Sequence, residues 1–423
     1  MQFNNIFSIV FLSFLFLSII VKIFLDLINY RHRKRNLKTI PPELNGMVDE
    51  KKLLLINQYS NEKLIFSLIG YFFDKIVLLL ILFLGIFPLY YNFLTNYFSN
   101  VYFLTLLFFG GFYLFELILG LPFSLYFNFV IEKKYQFNKM TLPIWISDLI
   151  KRIIISAVIG VILLVPLIFF VYKFENIWWI MIWGFMLAFS LIMQVLYPMV
   201  IAPLFNKFMP LENESLRKKI EKLLFDSGLK PGGIFEMDAS KRSSHSNAYF
   251  TGLGKSKRIV LFDSLLKNHS EDEILSILAH EIGHFKHKHV LKGIIYSSLI
   301  SLASLFIAYL LIDNEYLYSA FNFSGKIDLN SLKIVGLFLL TIVSSPISFL
   351  SSPIGSAMSR RHEYQADEYA VKMIGKSDYL VESLKRLNVD NLSNIFPADV
   401  YVWFYYSHPP LFKRIRALEA VKV

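Results

Sequence analysis

The sequence predicts a mostly α-helical, polytopic membrane protein of seven transmembrane helices, with a smaller α+β part on the cytosolic side. Three observations lead there. Hydrophobic residues make up 55% of the 423, with 42 Phe and 23 Tyr against 18% charged residues, and the mean hydropathy is +0.51, a balance that soluble domains do not carry. Apolar runs long enough to cross a bilayer recur along the chain, and the lysines and arginines between them cluster at every second link. Finally, one long hydrophilic stretch, residues 206–292, interrupts the apolar pattern and supplies the α+β part.

The first span, residues 3–28, is followed by Arg31, His32, Arg33, Lys34 and Arg35. A signal peptide has its basic residues ahead of the apolar stretch and a small-residue cleavage site behind it, so this reversed order reads as a retained helix with its N-terminus outside. Residues 35–63 are polar, contain Pro41-Pro42, and form a cytosolic loop or short helices. A second span covers 64–94 and leads through the uncharged link 95–100 to a third, 101–131, which ends at Glu132-Lys133-Lys134. Spans four and five, 152–172 and 177–204, are joined by only four residues, and span six covers 294–312. An external loop with Asp313, Glu315 and Asp328 leads to span seven, 332–358, which ends at Arg360-Arg361. The basic ends all fall on one side, placing the C-terminus and residues 206–292 in the cytosol.

The net charge of +11 is therefore a topology signal. No basic aromatic module accompanies it, which excludes nucleic acid as a partner. Asp74, Lys75 and Glu116 sit inside apolar runs and face the bundle interior, either lining a polar cavity or pairing with one another. Residues 1–205 hold spans one to five with their cytosolic loops, 206–292 the hydrophilic part, 293–358 spans six and seven, and 359–423 a cytosolic C-terminal part.

Within the hydrophilic part, residues 214–228 read as an amphipathic helix stopped by glycine, followed by strands at 234–237, 247–251 and 258–262. Ser270-Glu271-Asp272-Glu273 forms a capping box that opens a helix with Ile274, Leu275, Leu278, Ile282 and Phe285 on one side. That helix carries His280-Glu281-Ile282-Gly283-His284. Residues four apart lie one above the other, so the two histidines share a face and can share a metal, with Glu281 about 100° around the axis where it reaches a bound water. There is no cysteine, which excludes disulfides and thiolate ligands and leaves histidine and carboxylate. Strands followed by such a helix are the order of a zincin-like metalloprotease domain, in which an edge strand holds an extended peptide across the metal.

A catalytic zinc keeps three protein ligands and one open position. The metzincin completion needs Gly at 287 and His at 290, where this chain has His287 and Val290. The remaining source is a carboxylate after span seven, where Glu363 and Asp367 lie four apart on one helical face. One binds the metal while the other accepts the N–H of a ligating imidazole. His287 and His289, alternating with Lys286 and Lys288, read as a basic helix end, and His362 as a structural residue facing elsewhere.

Several stretches then carry a specific resemblance: Leu121-Pro122-Phe123-Ser124 through Phe137-Asn138, Pro203-Leu204-Phe205-Asn206-Lys207-Phe208, Ser244-His245-Ser246-Asn247-Ala248-Tyr249, the HExxH helix, Glu363-Tyr364-Gln365-Ala366-Asp367, and Ser407-His408-Pro409-Pro410. In these the chain resembles the type I CAAX prenyl protease family, integral membrane zinc endopeptidases of the gluzincin type. The resemblance implies one Zn2+ per chain held by His280, His284 and Glu363, with Asp367 as supporter. It implies substrate binding at Asn247, Ala248 and Tyr249, substrate orientation or oxyanion stabilisation by His408 and Arg414, and spans arranged around a large internal chamber. Tyr135-Gln136 departs from the pattern, standing where the family usually has a glycine before Phe-Asn.

The function expected is cleavage near the C-terminus of a peptide or protein substrate of CaaX type, prenylated or not, with Glu281 as general base. A membrane-protein quality-control endopeptidase is the alternative within enzymes, and a transporter or metal-binding scaffold the alternative outside them. The only other partner implied is the lipid bilayer, and the sequence assigns no oligomeric state. Ala420-Val421-Lys422-Val423 carries no lumenal retention signal, and the expected membrane is the bacterial inner membrane in preference to the endoplasmic reticulum.

Overall fold

A computed structural model describes residues 1–229, 232–251, 258–323 and 329–422, the side chains of 329–331 excepted; Asp328 lies outside them. Helix α1 (Ile6–Arg35) is capped by Asn5, whose side chain accepts the Phe7 N–H, and its last turn carries His32, Arg33, Lys34 and Arg35 at the negative end of the helix dipole. Helix α2 (Glu50–Phe83) starts at the Asp49 cap, well ahead of the apolar run, so it projects beyond the membrane. The second span expected at 64–94 is divided: Gly85, at φ +67°, ends α2 and begins the short α3 (Ile86–Thr95). Glycine takes that left-handed conformation at little cost.

Helix α4 (Val101–Tyr126) continues as a π-helical turn over Phe127–Glu132. Helix α5 (Leu142–Lys173) begins earlier than the expected 152, and α6 (Trp178–Leu196) runs on through further turns to Leu204. Strand β1 (Phe208–Pro210), too short to read from sequence, precedes α7 (Glu214–Asp226). Strands β2 (Ile234–Met237) and β4 (Arg258–Phe262) have the expected bounds, and β3 (Ala248–Thr251) begins one residue after the expected 247.

After α8 (Asp263–Asn268), helix α9 (Glu271–Lys286) opens on a complete capping box. Lys288, at φ +54°, turns the chain sharply into α10 (His289–Leu311). Helix α11 (Glu315–Ala320) leads to α12 (Leu329–Ile374), one continuous helix of 46 residues. The seventh span and the segment carrying Glu363 and Asp367 are thus the same rod, with no break at 358. Helices α13 (Asp378–Asp390), α14 (Asp399–Tyr405) and α15 (Leu411–Glu419) complete the chain.

Among the described residues, seven helices are long and apolar enough to cross a membrane. Asn5 Nδ2 donates to the Tyr316 carbonyl at 2.7 Å, so the start of α1 and α11 share one end of the bundle. Asn29 Oδ1 accepts the Ala398 N–H at 3.1 Å, so the basic end of α1 meets the C-terminal helices at the other. No ion pair joins Asp74, Lys75 and Glu116 among the described residues; Lys75 instead lies 5.3 Å from the Tyr71 ring centre.

The sheet runs β1-β2-β4-β3, with β2 and β4 parallel and β3 an antiparallel edge. Helix α9 is the centre of its core. Ile274, Leu278 and Ile282 are buried with Ile259 and Leu261 of β4, Ile220 of α7 and Val371 of α12, each such side chain worth about 1.5–3 kcal/mol. Phe285, expected on this face, is 37% exposed.

Candidate metal centre

The site is built from two rods packed at one point. Helix α9 presents His280 and His284, and α12 presents Glu363 and Asp367. A Cβ on Gly283 would stand 2.8 Å from the Ala366 Cα and 2.9 Å from its carbonyl oxygen. The glycine inside HExxH therefore sets how closely the third carboxylate approaches the histidines. Gly283→Ala is expected to push the helices apart, destabilise the protein by about 1–3 kcal/mol and lower its bound metal; thermal unfolding and metal analysis check this.

His280, His284 and Glu363 offer one ligand atom each within 4.8 Å of one another. His280 Nε2 and His284 Nε2 are 3.1 Å apart, His284 Nε2 and Glu363 Oε1 3.3 Å, and His280 Nε2 and Glu363 Oε2 3.5 Å. A tetrahedron with bonds of about 2.0–2.1 Å has edges of about 3.3 Å, so two imidazole nitrogens and one carboxylate, which turns Oε1 to His284 and Oε2 to His280, are spaced as three ligands of such a centre. Glu363 Oε2 is buried without a hydrogen-bond partner, as a ligand atom facing a cation would be.

Each imidazole is oriented from behind. Asp367 Oδ1 accepts from His280 Nδ1 at 2.8 Å, leaving the Nε2 lone pair for a metal. On the other side Gln365 Oε1 accepts from His289 Nε2 at 2.9 Å, so His289 Nδ1 accepts from His284 Nδ1 at 3.0 Å. His284 Nε2 is then free as well. His289, buried and stacked on His362 at 3.9 Å, is thus more than the basic helix end expected, and His362 backs it. The sharp turn at Lys288 brings it there. His289→Ala is expected to weaken metal binding about 10–100-fold with the three ligands intact, measured by competition with a chelator.

Burial opposes charge on His280, but Asp367 and Glu363 outweigh it and push its pKa up to about 9. Burial also pushes the Glu281 carboxyl up, against the pull of the neighbouring histidines. The pocket thus favours a cation between its carboxylates and keeps Glu281 closer to neutrality than an exposed glutamate.

A family model described as CAAX prenyl protease N-terminal, five membrane helices, matches residues 29–207, and Peptidase family M48 matches residues 210–422. The chain is 37% identical over 417 residues to a CAAX prenyl protease 1 homolog of Oryza sativa subsp. japonica, covering 96% of each. It is 34% identical to CAAX prenyl protease 1 of Saccharomyces cerevisiae, covering 93% of this chain and 92% of that one. The crystal structure of S. mikatae Ste24p superposes with a TM-score of 0.89 at 33% identity, over 98% of this chain and 99% of that one.

The chain belongs to the CAAX prenyl protease 1 family. It is a multi-pass membrane M48 metallopeptidase with a His/His/Glu metal triad. Gln136, in the stretch that departs from the pattern the resemblance implies, adopts φ +64°, a left-handed turn made without glycine.

Arg414 and His408 both stand beside the carboxylates of the centre. The Arg414 guanidinium forks onto Asp367, with Nη2–Oδ1 2.6 Å and Nε–Oδ2 2.8 Å, and its Nη1 lies 3.5 Å from Glu363 Oε2. It is buried, and these carboxylates hold its pKa above the usual arginine value despite that burial. Its charge braces the carboxylates from behind. His408 Nε2 lies 3.3 Å from Glu363 Oε1, and its Nδ1 accepts from Ser407 Oγ at 2.9 Å. Desolvation lowers its pKa from the ordinary histidine value, and with Nδ1 accepting from Ser407 the Nε2–H is the one turned to Glu363.

A cavity of about 1020 Å³ adjoins this centre, lined by Asn247, His408 and Arg414 among others. Ala248 is buried in the core, and Tyr249 packs beside Phe262. Of the three expected substrate residues, Asn247 alone lines the cavity, its Oδ1 accepting the Ala248 N–H at 2.9 Å, and β3 offers its edge backbone beside it.

Proposed function

We propose that the protein is a zinc endopeptidase cutting near the C-terminus of CaaX-type substrates, with the site on the cytosolic side of its membrane. The observation that carries this is the triad of nitrogens and carboxylate oxygens at tetrahedral spacing, each imidazole held from behind, beside a glutamate raised by burial. A His₂Glu set without cysteine suits zinc, one per chain, which when bound polarises the scissile carbonyl and acidifies a water.

Glu281 would serve as the general base, accepting a proton from the attacking water on its carboxylate and returning it to the leaving amine. His408 donates its Nε2–H toward the oxygen on which charge develops. Asp367 and Arg414 hold His280 and Glu363 in place. The edge of β3, with Asn247 at its start, lines up the substrate backbone.

The basic last turn of α1 meets the C-terminal helices that complete the site, which supports the cytosolic assignment. The relatives named above are from eukaryotes, whereas the membrane expected from the sequence is the bacterial inner membrane. The test is cleavage of a CaaX peptide by the purified protein, farnesylated and unprenylated, with products identified by mass. Release of the last three residues, faster from the farnesylated peptide, is expected. Equal cutting at scattered internal bonds would favour the quality-control reading.

A further inference from the structure

The cavity beside the metal centre is lined by Arg33, Lys63 and Arg414, with no aspartate or glutamate on its wall among the described residues. Arg414 has its own counter-charges in Asp367 and Glu363. Arg33 does not. It is only 4% exposed, its Nη2 donates to the Asn61 side-chain oxygen, and no ion pair reaches it among the described residues. The groups around it are the phenols of Tyr30, Tyr401 and Tyr406.

Lys63 lies over the Tyr59 ring at 4.8 Å on the adjoining wall. The nearby carboxylate, Glu132, is already engaged, accepting from Tyr59 at 2.6 Å and lying 3.5 Å from His245 Nε2. A buried cation without a counter-ion is costly, and an arriving anion removes that cost. The guanidinium fork also matches a carboxylate better than any other side chain does.

The substrate's direction says which anion arrives. A peptide adding antiparallel to the free edge of β3 runs toward the strand's N-terminal end, so residues beyond the cut bond pass Asn247 and enter the cavity. At about 1020 Å³, against roughly 300–1,000 Å³ for small-ligand pockets, it has room for a few residues.

We infer that the wall formed by α1 and α2 receives the free α-carboxylate of the substrate's C-terminus, with Arg33 as the specificity-determining residue and Lys63 assisting. This rests on the peptidase reading above. Its consequence is that the protein selects chain ends: the bond cut is the one that reaches the metal when the terminal carboxylate meets Arg33.

The test is binding of a labelled CaaX hexapeptide, as free acid and as C-terminal amide, to the full-length, zinc-loaded protein carrying Glu281→Gln so that nothing is consumed. The acid is expected to bind at least about tenfold more tightly. Adding Arg33→Gln brings the acid to the level of the amide and leaves the amide unchanged, and Lys63→Gln moves the acid the same way by less. Equal binding of acid and amide before either change would overturn the inference, as would equal weakening of both by Arg33→Gln in a protein with an unaltered melting point. Because the first comparison needs no change at Arg33, it stands even if that variant does not fold. Cleavage of both peptides with Glu281 intact is read separately: acid preference in binding without cleavage supports the subsite and sinks the peptidase reading, whereas cleavage without acid preference does the reverse.

Discussion

Glu281→Gln is expected to keep one zinc per chain and lose cleavage by at least about 10²–10⁴-fold, the range for removing a general base. Glu281 adjoins His280 on α9 without belonging to the triad, so the amide leaves the three ligands in place. Burial already raises its carboxyl, and a neutral side chain of the same shape fits the pocket at no cost in stability. Metal analysis and melting should match the unmodified protein while peptide turnover disappears. Loss of the metal together with activity would instead make Glu281 a structural part of the centre.

The second large effect is expected at Arg414. Asp367 is 2% exposed and Glu363 3%, and the guanidinium holds both. Arg414→Met leaves two buried carboxylates without that partner, a loss on the order of 3–5 kcal/mol. It should lower the melting point and the bound zinc together. Arg414→Lys restores the charge without the fork onto Asp367, so it should recover little. A folded, zinc-replete Arg414→Met protein that only turns over slowly would return Arg414 to the substrate-facing role implied by the family resemblance.

The elements that hold the centre were legible where local chemistry specifies them. The capping box of α9, the HExxH pair and three of the four strands follow from side-chain type and period. The choice between Glu363 and Asp367 did not follow from spacing, because both lie on one helical face; the resemblance chose Glu363, and the packing puts Asp367 behind His280. Other features depend on contacts between distant segments. Gly283 occupies an unspecified position of its motif, and its reason is the backbone of Ala366 on another helix. His289 supports His284 because Lys288 takes a left-handed conformation that its residue type does not announce. The division of the second apolar run at Gly85 was missed for the opposite reason, since a single glycine in an apolar helix is ordinarily tolerated. Arg33 read as a topology signal, and only the fold shows it buried on the wall of a cavity.

The most direct test of the central claim is metal content and chelator-reversible cleavage measured on the same preparation. One zinc per chain, loss of CaaX-peptide cleavage as a chelator removes it, and recovery on adding zinc back are the predicted results. Full-rate cleavage by metal-stripped protein, or a stoichiometric zinc with no peptide cut, would contradict the account.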